Sequence, residues 1–232
     1  MTDGMRRTAL VRQLAGTVWR VLPWRVLGAA GGLSAAIAAG TRLPGQAPGT
    51  VTGLLVLRAA ALVGGLGLAF LFDDPARHTT EAVPVPRLVR AGLRLALIAP
   101  LVAAWWAAVL LLVPGAARPP AGALTLEAAA IVATAVALAA ASVRLRTEPG
   151  PGAGAALTLL VLAVAALLTP HPWSLLVPPG DPGWAVAHRW WAALLAAAAA
   201  VCAACLPQPV HRLRRGARTR TPGPDVTSAC GA

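Results

Sequence analysis

Residues Leu93–Val113 read LRLALIAPLVAAWWAAVLLLV. After Arg94 this run carries no charged side chain. About 20 consecutive apolar residues are what a helix needs to cross the hydrocarbon of a bilayer. No water is present there to satisfy the backbone, so a lone spanning segment must close its own hydrogen bonds as a helix. The stretch therefore reads as a transmembrane helix. Working outward, five more apolar runs fall at Val26–Gly40, Val51–Phe72, Ala123–Val143, Ala155–Thr169 and Trp190–Leu206. The expected fold is all-α: a polytopic bundle of six transmembrane helices over residues 26–206. An N-terminal segment, 1–25, precedes it, and a basic tail, 207–232, follows with a composition that predicts disorder.

Composition points the same way. Only 12% of the residues are charged and 57% are hydrophobic, whereas a soluble domain carries about 25% charged residues. The net charge is +12, and all of it comes from arginine, since the chain has no Lys. A basic balance can signal nucleic acid. Here the arginines flank apolar runs, and no basic patch with interleaved aromatics lies outside them, so nucleic acid is not an expected partner. Three cysteines, two in an apolar run and one in the tail, make no disulfide framework. Residues 1–25 are not read as a cleavable leader, because their basic part is long and the first apolar run follows only after Pro23.

In that segment Leu10, Leu14, Val18 and Leu22 recur every four residues, with Arg6, Arg7, Arg12 and Arg20 on much of the remaining surface. The spacing predicts an amphipathic helix lying along the membrane, its basic side toward lipid phosphates. Trp19 and Trp24 suit the interface. A frayed basic leader is the competing reading.

Arginine placement orients the bundle. With both termini on one side, the segments on that side hold 16 of the 20 arginines. The opposite loops hold Arg42, Arg118 and Arg189, and Arg58 lies within a span. Arginine excess marks the cytoplasmic side. The expectation is a multi-pass protein of the cell membrane with both termini in the cytoplasm.

On that side the longest polar interruption is Phe72–Arg94, FDDPARHTTEAVPVPRLVRAGLR. It holds three of the chain's eight acids. Asp73 or Asp74 can cap a helix with Pro75 at its first position. Pro84 and Pro86 stop it, and Arg87, Arg90 and Arg94 then recur at helical spacing. The result would be a short helix beneath the membrane; an ordinary solvated loop is the plainer alternative.

The layout resembles the membrane (permease) subunits of type-2 ABC exporters of actinobacteria. The resemblance rests on topology, with Arg6–Leu22 in the place of an elbow helix. It also rests on the stretch Asp73-Asp74-Pro75-Ala76, followed by Thr80-Glu81 and the P-x-P of Pro84–Pro86. It implies a transport subunit that works with a separate ATP-binding subunit, docked on a coupling loop with Asp73, Asp74, Thr80 and Glu81 as candidate contacts. The chain itself would be no enzyme and would hold no cofactor. A phosphate-binding loop ends in Lys, and there is none here. Membrane lipids are further expected partners, and the Ala/Gly-rich spans leave room for a homodimer or a second permease. A non-transporting integral membrane protein, such as an anchor, assembly or immunity factor, fits the same spans and stays open.

Other chemistry is sparse. His171, Asp181 and His188 share one loop with five prolines; an interfacial loop outweighs a metal site there. Cys202 and Cys205 lie in an Ala-rich run with no charge beside them, and read as packing residues. Two charges lie inside spans, Arg58 and Glu127, at similar depth from the same end. Pairing would reduce the cost of burying each, whereas snorkelling of Arg58 and a helix N-terminal place for Glu127 would serve separately.

Overall fold

The structure is a computed structural model, and it describes residues 16, 19, 20, 22–44, 48–73, 87–145, 150–170 and 174–205. Their secondary structure is helical, with no strand among them. The main helices are α1 (Trp24–Ala39), α2 (Thr50–Leu68), α3 (Arg87–Leu112), α4 (Ala121–Leu145), α5 (Pro151–Leu168) and α6 (Trp184–Cys205). Five of them, α2 to α6, are long and apolar enough to cross a membrane, which marks a multi-pass membrane protein. With 16 residues, α1 spans about 24 Å. A 3-10 turn at Gly40–Arg42 extends it by about 6 Å. Most of the expected interfacial helix, and the tail from 206 on, lie outside the described residues.

Consecutive helices run in opposite directions. Gly67, late in α2, packs on Ala30 and the Val26 carbonyl of early α1. Arg42, after α1, reaches the end of α3. Arg144, at the end of α4, reaches Ala204 at the end of α6. The end of the bundle where α1 begins is called the near end below, and the opposite end the far end.

Helices α2 and α4 form the interior. Half of the most apolar window of α2 is buried, against 17% for α3 and for α6. The main core joins Leu54, Leu57, Ala60 and Ala61 of α2 to Trp106 and Val109 of α3 and to Leu124 and Ala128 of α4. Small residues allow this closeness. A Cβ on Gly53 would run into the Ala117 carbonyl, and one on Gly64 into the Trp105 ring. Between helices in lipid, where no hydrophobic driving force acts, such contact must come from van der Waals packing. Leu157, Leu160, Val161, Val164 and Leu168 of α5 stay exposed, as expected of a side that faces lipid.

Several boundaries differ from the sequence expectation. Where Val51–Phe72 was expected to be one span, α2 stops at Leu68, and Ala69–Phe72 tightens into turns, with Leu71 N donating to Leu68 O at 3.0 Å and Asp73 N to Phe70 O at 3.0 Å. The Gly64, Gly65 and Gly67 run weakens helix just before that point. The third helix starts at Arg87, taking in the spaced arginines, and runs through Pro100; neighbouring structure makes such prolines tolerable in membranes. The fifth begins at Pro151, not Ala155, because Gly150 takes φ +94° and Pro151 then stands at the first position, where its missing N–H costs nothing. The sixth begins at Trp184, not Trp190. Asp181 starts it: its Oδ1 accepts from Gly183 N at 2.7 Å and its carbonyl from Trp184 N at 3.0 Å, the local side-chain-to-backbone bond that favours Asp at helix starts.

Three of the four arginines outside the basic-side count, Arg42, Arg58 and Arg118, are engaged at helix ends or inside the bundle. Arg42 donates to the Leu112 and Leu111 carbonyls at 2.5 and 2.7 Å, and Arg118 to Val113 O at 2.7 Å. These are carbonyls that the end of α3 leaves without intrahelical partners, at the negative end of its dipole.

Candidate functional site

Arg58 stands eight residues into α2 and Glu127 six into α4, about 12 and 9 Å from the far ends of their helices. The packing of α2 on α4 brings them together. Arg58 Nε donates to Glu127 Oε2 at 2.6 Å and Arg58 Nη2 to Oε1 at 2.8 Å. The pair is bidentate, the geometry a guanidinium fork makes best with a carboxylate. Glu127 is 1% exposed and the Arg58 side chain 10%. Both are therefore desolvated, and neither reaches a membrane interface on its own.

Two further groups complete the site. Arg58 Nη2 also donates to the Val177 carbonyl at 3.2 Å. Val177 belongs to the segment before α6 and is buried. Trp191 Nε1 holds the same segment by donating to Leu175 O at 3.0 Å. The second group is His188. Its Nε2 lies 3.3 Å from Glu127 Oε1 but is not aligned for a hydrogen bond. Its Nδ1 stands 2.8 Å from the Trp184 carbonyl. A carbonyl only accepts, so Nδ1 carries the hydrogen. A neutral ring then turns the bare Nε2 toward the carboxylate, and a protonated ring turns an N–H toward it. The Trp184 ring packs on the imidazole at 4.3 Å between centroids. Three helices thus meet at the Glu127 carboxylate, and one connecting segment joins them through Arg58.

The sequence expectation put His188 in a loop with His171 and Asp181. In the structure His188 leaves that group and joins Glu127. The signal was present in Asp181-Pro182-Gly183, a turn-forming run able to start a helix ahead of Trp184. His171 lies outside the described residues. Among the described residues no group of three or more His, Cys, Asp or Glu side chains is placed to hold a metal. Cys202 and Cys205 are free thiols, and Cys202 packs against a core of Leu22, Leu68, Leu71, Ile98 and Val136.

Of the coupling-loop candidates, Asp74, Thr80 and Glu81 lie outside the described residues. Asp73 is placed, and it faces inward. Its Oδ1 accepts from Gly152 N at 2.8 Å, an amide in the first turn of α5 that has no intrahelical partner. Gly152 is required there, since a Cβ would stand 2.6 Å from Asp73 Oδ2 and 2.7 Å from the Phe70 ring. Asp73 thus caps α5 from the exit of α2. Burial pushes the Asp73 carboxyl above its ordinary value, and the Gly152 amide opposes the shift. A raised acid favours the folded state most when protonated. That contribution is complete below the ordinary carboxylate range and is lost as pH rises through the higher titration of Asp73.

No known protein family, curated protein or solved structure matches the chain.

Proposed function

We propose that the chain is the membrane-spanning subunit of an ABC-type exporter, powered by a separate ATP-binding subunit. The observation that carries the reading is the Asp73–Gly152 contact. It fastens the exit of α2, where the acidic loop begins, to the first turn of α5. A push on that loop would reach two helices at once. The polar loop supplies acids for docking, and a chain without Lys supplies no phosphate-binding loop of its own. On this reading six helices cross the membrane. The 3-10 extension brings α1 close to the roughly 30 Å of the hydrocarbon core. The near end and both termini face the cytoplasm, as the arginine excess requires.

Two tests follow. The tagged full-length protein, purified from its native membrane, should bring an ATP-binding protein with it. Changing Asp74 and Glu81 together to Ala should cut that partner's recovery at least tenfold without changing membrane insertion. Asp73→Asn, which keeps the acceptor for Gly152, should leave the folded yield unchanged. Asp73→Ala should lower stability by about 1 kcal/mol, the usual cost of a lost helix cap. Purification without any ATP-binding partner would favour the anchor, assembly or immunity reading instead. For topology, reporters fused at Gly115 and Gly180 should read outside and one at the C-terminus inside; an external C-terminus would overturn the arrangement.

A further inference from the structure

A cleft of about 230 Å³ opens at the near half of the bundle between α1, α2 and α3. Trp24, Leu27, Gly28 and Gly31 form one wall, and Ile98 and Trp105 stand on the opposite one. The space exists because α1 carries glycines there. A Cβ on Gly28 would meet nothing within 4 Å, and one on Gly31 would only touch Trp105 at 3.6 Å. The Trp105 ring, lying over Gly64, is the lining group farthest along α3, and Trp24 is the one nearest the start of α1. Trp24 to Gly31, and Ile98 to Trp105, are each about two helical turns, so the cleft runs about 10 Å along the bundle. That is most of one leaflet, about half of a 30 Å hydrocarbon core.

Its walls are almost wholly carbon, so water gains nothing by entering. A hydrocarbon chain fits it, and the charges near its near-end edge select which lipid brings that chain. Trp24 packs on Trp19 at 4.4 Å, and Trp24 Nε1 donates to the Trp19 carbonyl at 2.8 Å. Tryptophan pairs of this kind sit at headgroup depth. Arg20 and Arg25 flank them and are exposed. Arg94, one helical turn before Ile98 on α3, is engaged with the Leu71 carbonyl and is no part of the lining. The acids among the described residues are engaged elsewhere: Asp73 with Gly152, Glu127 with Arg58 and Asp181 with Gly183.

We propose that this cleft holds one acyl chain of an anionic phospholipid, whose phosphate sits against Arg20 and Arg25. The lipid belongs to the leaflet that meets the near end of the bundle. The site does not depend on the export reading. It differs from a general coat of lipid in that one molecule is held by both a shaped slot and a charge.

The test is native mass spectrometry of the full-length protein, delipidated and then titrated with dioleoylphosphatidylglycerol or dioleoylphosphatidylcholine. One phosphatidylglycerol should be retained at least tenfold more tightly than phosphatidylcholine. Gly28→Leu, which fills the slot, should abolish that retention. Gly32→Leu, on the same helix but outside the lining and equally open, should leave it unchanged. Arg20→Gln with Arg25→Gln should remove the preference between the two lipids. Equal retention of the two lipids by the wild type, or equal behaviour of the two glycine variants, would overturn the proposal. A measurement on the wild type alone keeps the test open if Gly28→Leu does not fold. Phosphatidylglycerol with a photoreactive acyl chain should label peptides covering Trp24–Gly31 or Ile98–Trp105. Labelling confined to the exposed side of α5 would refute the site.

Discussion

Glu127→Ala is expected to destabilise the protein by about 3–5 kcal/mol, the range for breaking one side of a buried ion pair. The reason is what remains. Arg58 keeps a desolvated guanidinium whose Nε and Nη2 both pointed at the lost carboxylate. A charge near the middle of a span costs on the order of 2.5–3.5 kcal/mol on insertion scales. Arg58→Ala should also destabilise, because Glu127 is 1% exposed and would lose the two N–H groups that its carboxylate oxygens accept from. The diagnostic experiment is the swap. Arg58→Glu and Glu127→Arg should each reduce folded yield in detergent, and the double variant should recover much of it. Strictly additive losses would show that the two residues act independently.

Gly53→Leu should be the most damaging substitution of a glycine, lowering stability by an amount at the upper end of the roughly 1–3 kcal/mol typical of overpacking, or beyond it. A Cβ there falls on the backbone carbonyl of Ala117, in the 3-10 turn Gly115–Ala117. A backbone group cannot rotate aside as the end of a side chain can. The 3-10 turn would have to move, and with it the Arg118 bond to Val113 O that closes the end of α3. Gly122→Leu is the matched control. It also adds a leucine near the far end of a spanning helix, but nothing stands within 4 Å of the new Cβ. Unfolding temperatures of the two variants in one detergent should separate clearly. Equal temperatures would mean that the α2 contact is not held as tightly as its geometry states.

The two effects share a physical origin. A bundle in lipid gains nothing from hiding apolar surface from water, because the tails are equally apolar. Stability then rests on close packing at glycines and on polar groups that find each other. Arg42 on the end of α3 and Arg144 on the end of α6 serve that purpose, and so does Asp73 on the start of α5. The connection before α6 is bound in through the Val177 and Leu175 carbonyls.

Helical class and membrane character are set by the sequence alone. The LRLALIAPLVAAWWAAVLLLV run is too long and too apolar to be anything but a helix in lipid, and that judgement needs no partner. The matched depth of Arg58 and Glu127 is also visible there, since depth is a count of residues from a helix end. Whether α2 touches α4 is not a count. It depends on which faces pack, and spans built mostly of Ala and Leu look nearly alike on every side. Tertiary structure decided that contact, and with it the 2.6 Å bond. It also turned Asp73 inward onto Gly152, because α5 starts beside the exit of α2, 79 positions away in the chain. His188 shows the division most clearly. Asp181-Pro182-Gly183 can be read as a helix start, which would place His188 on α6. Only the packing of α6 on α4 sets its imidazole against a carboxylate 61 residues earlier, since proximity between spans is fixed by side-chain shape and not by order along the chain.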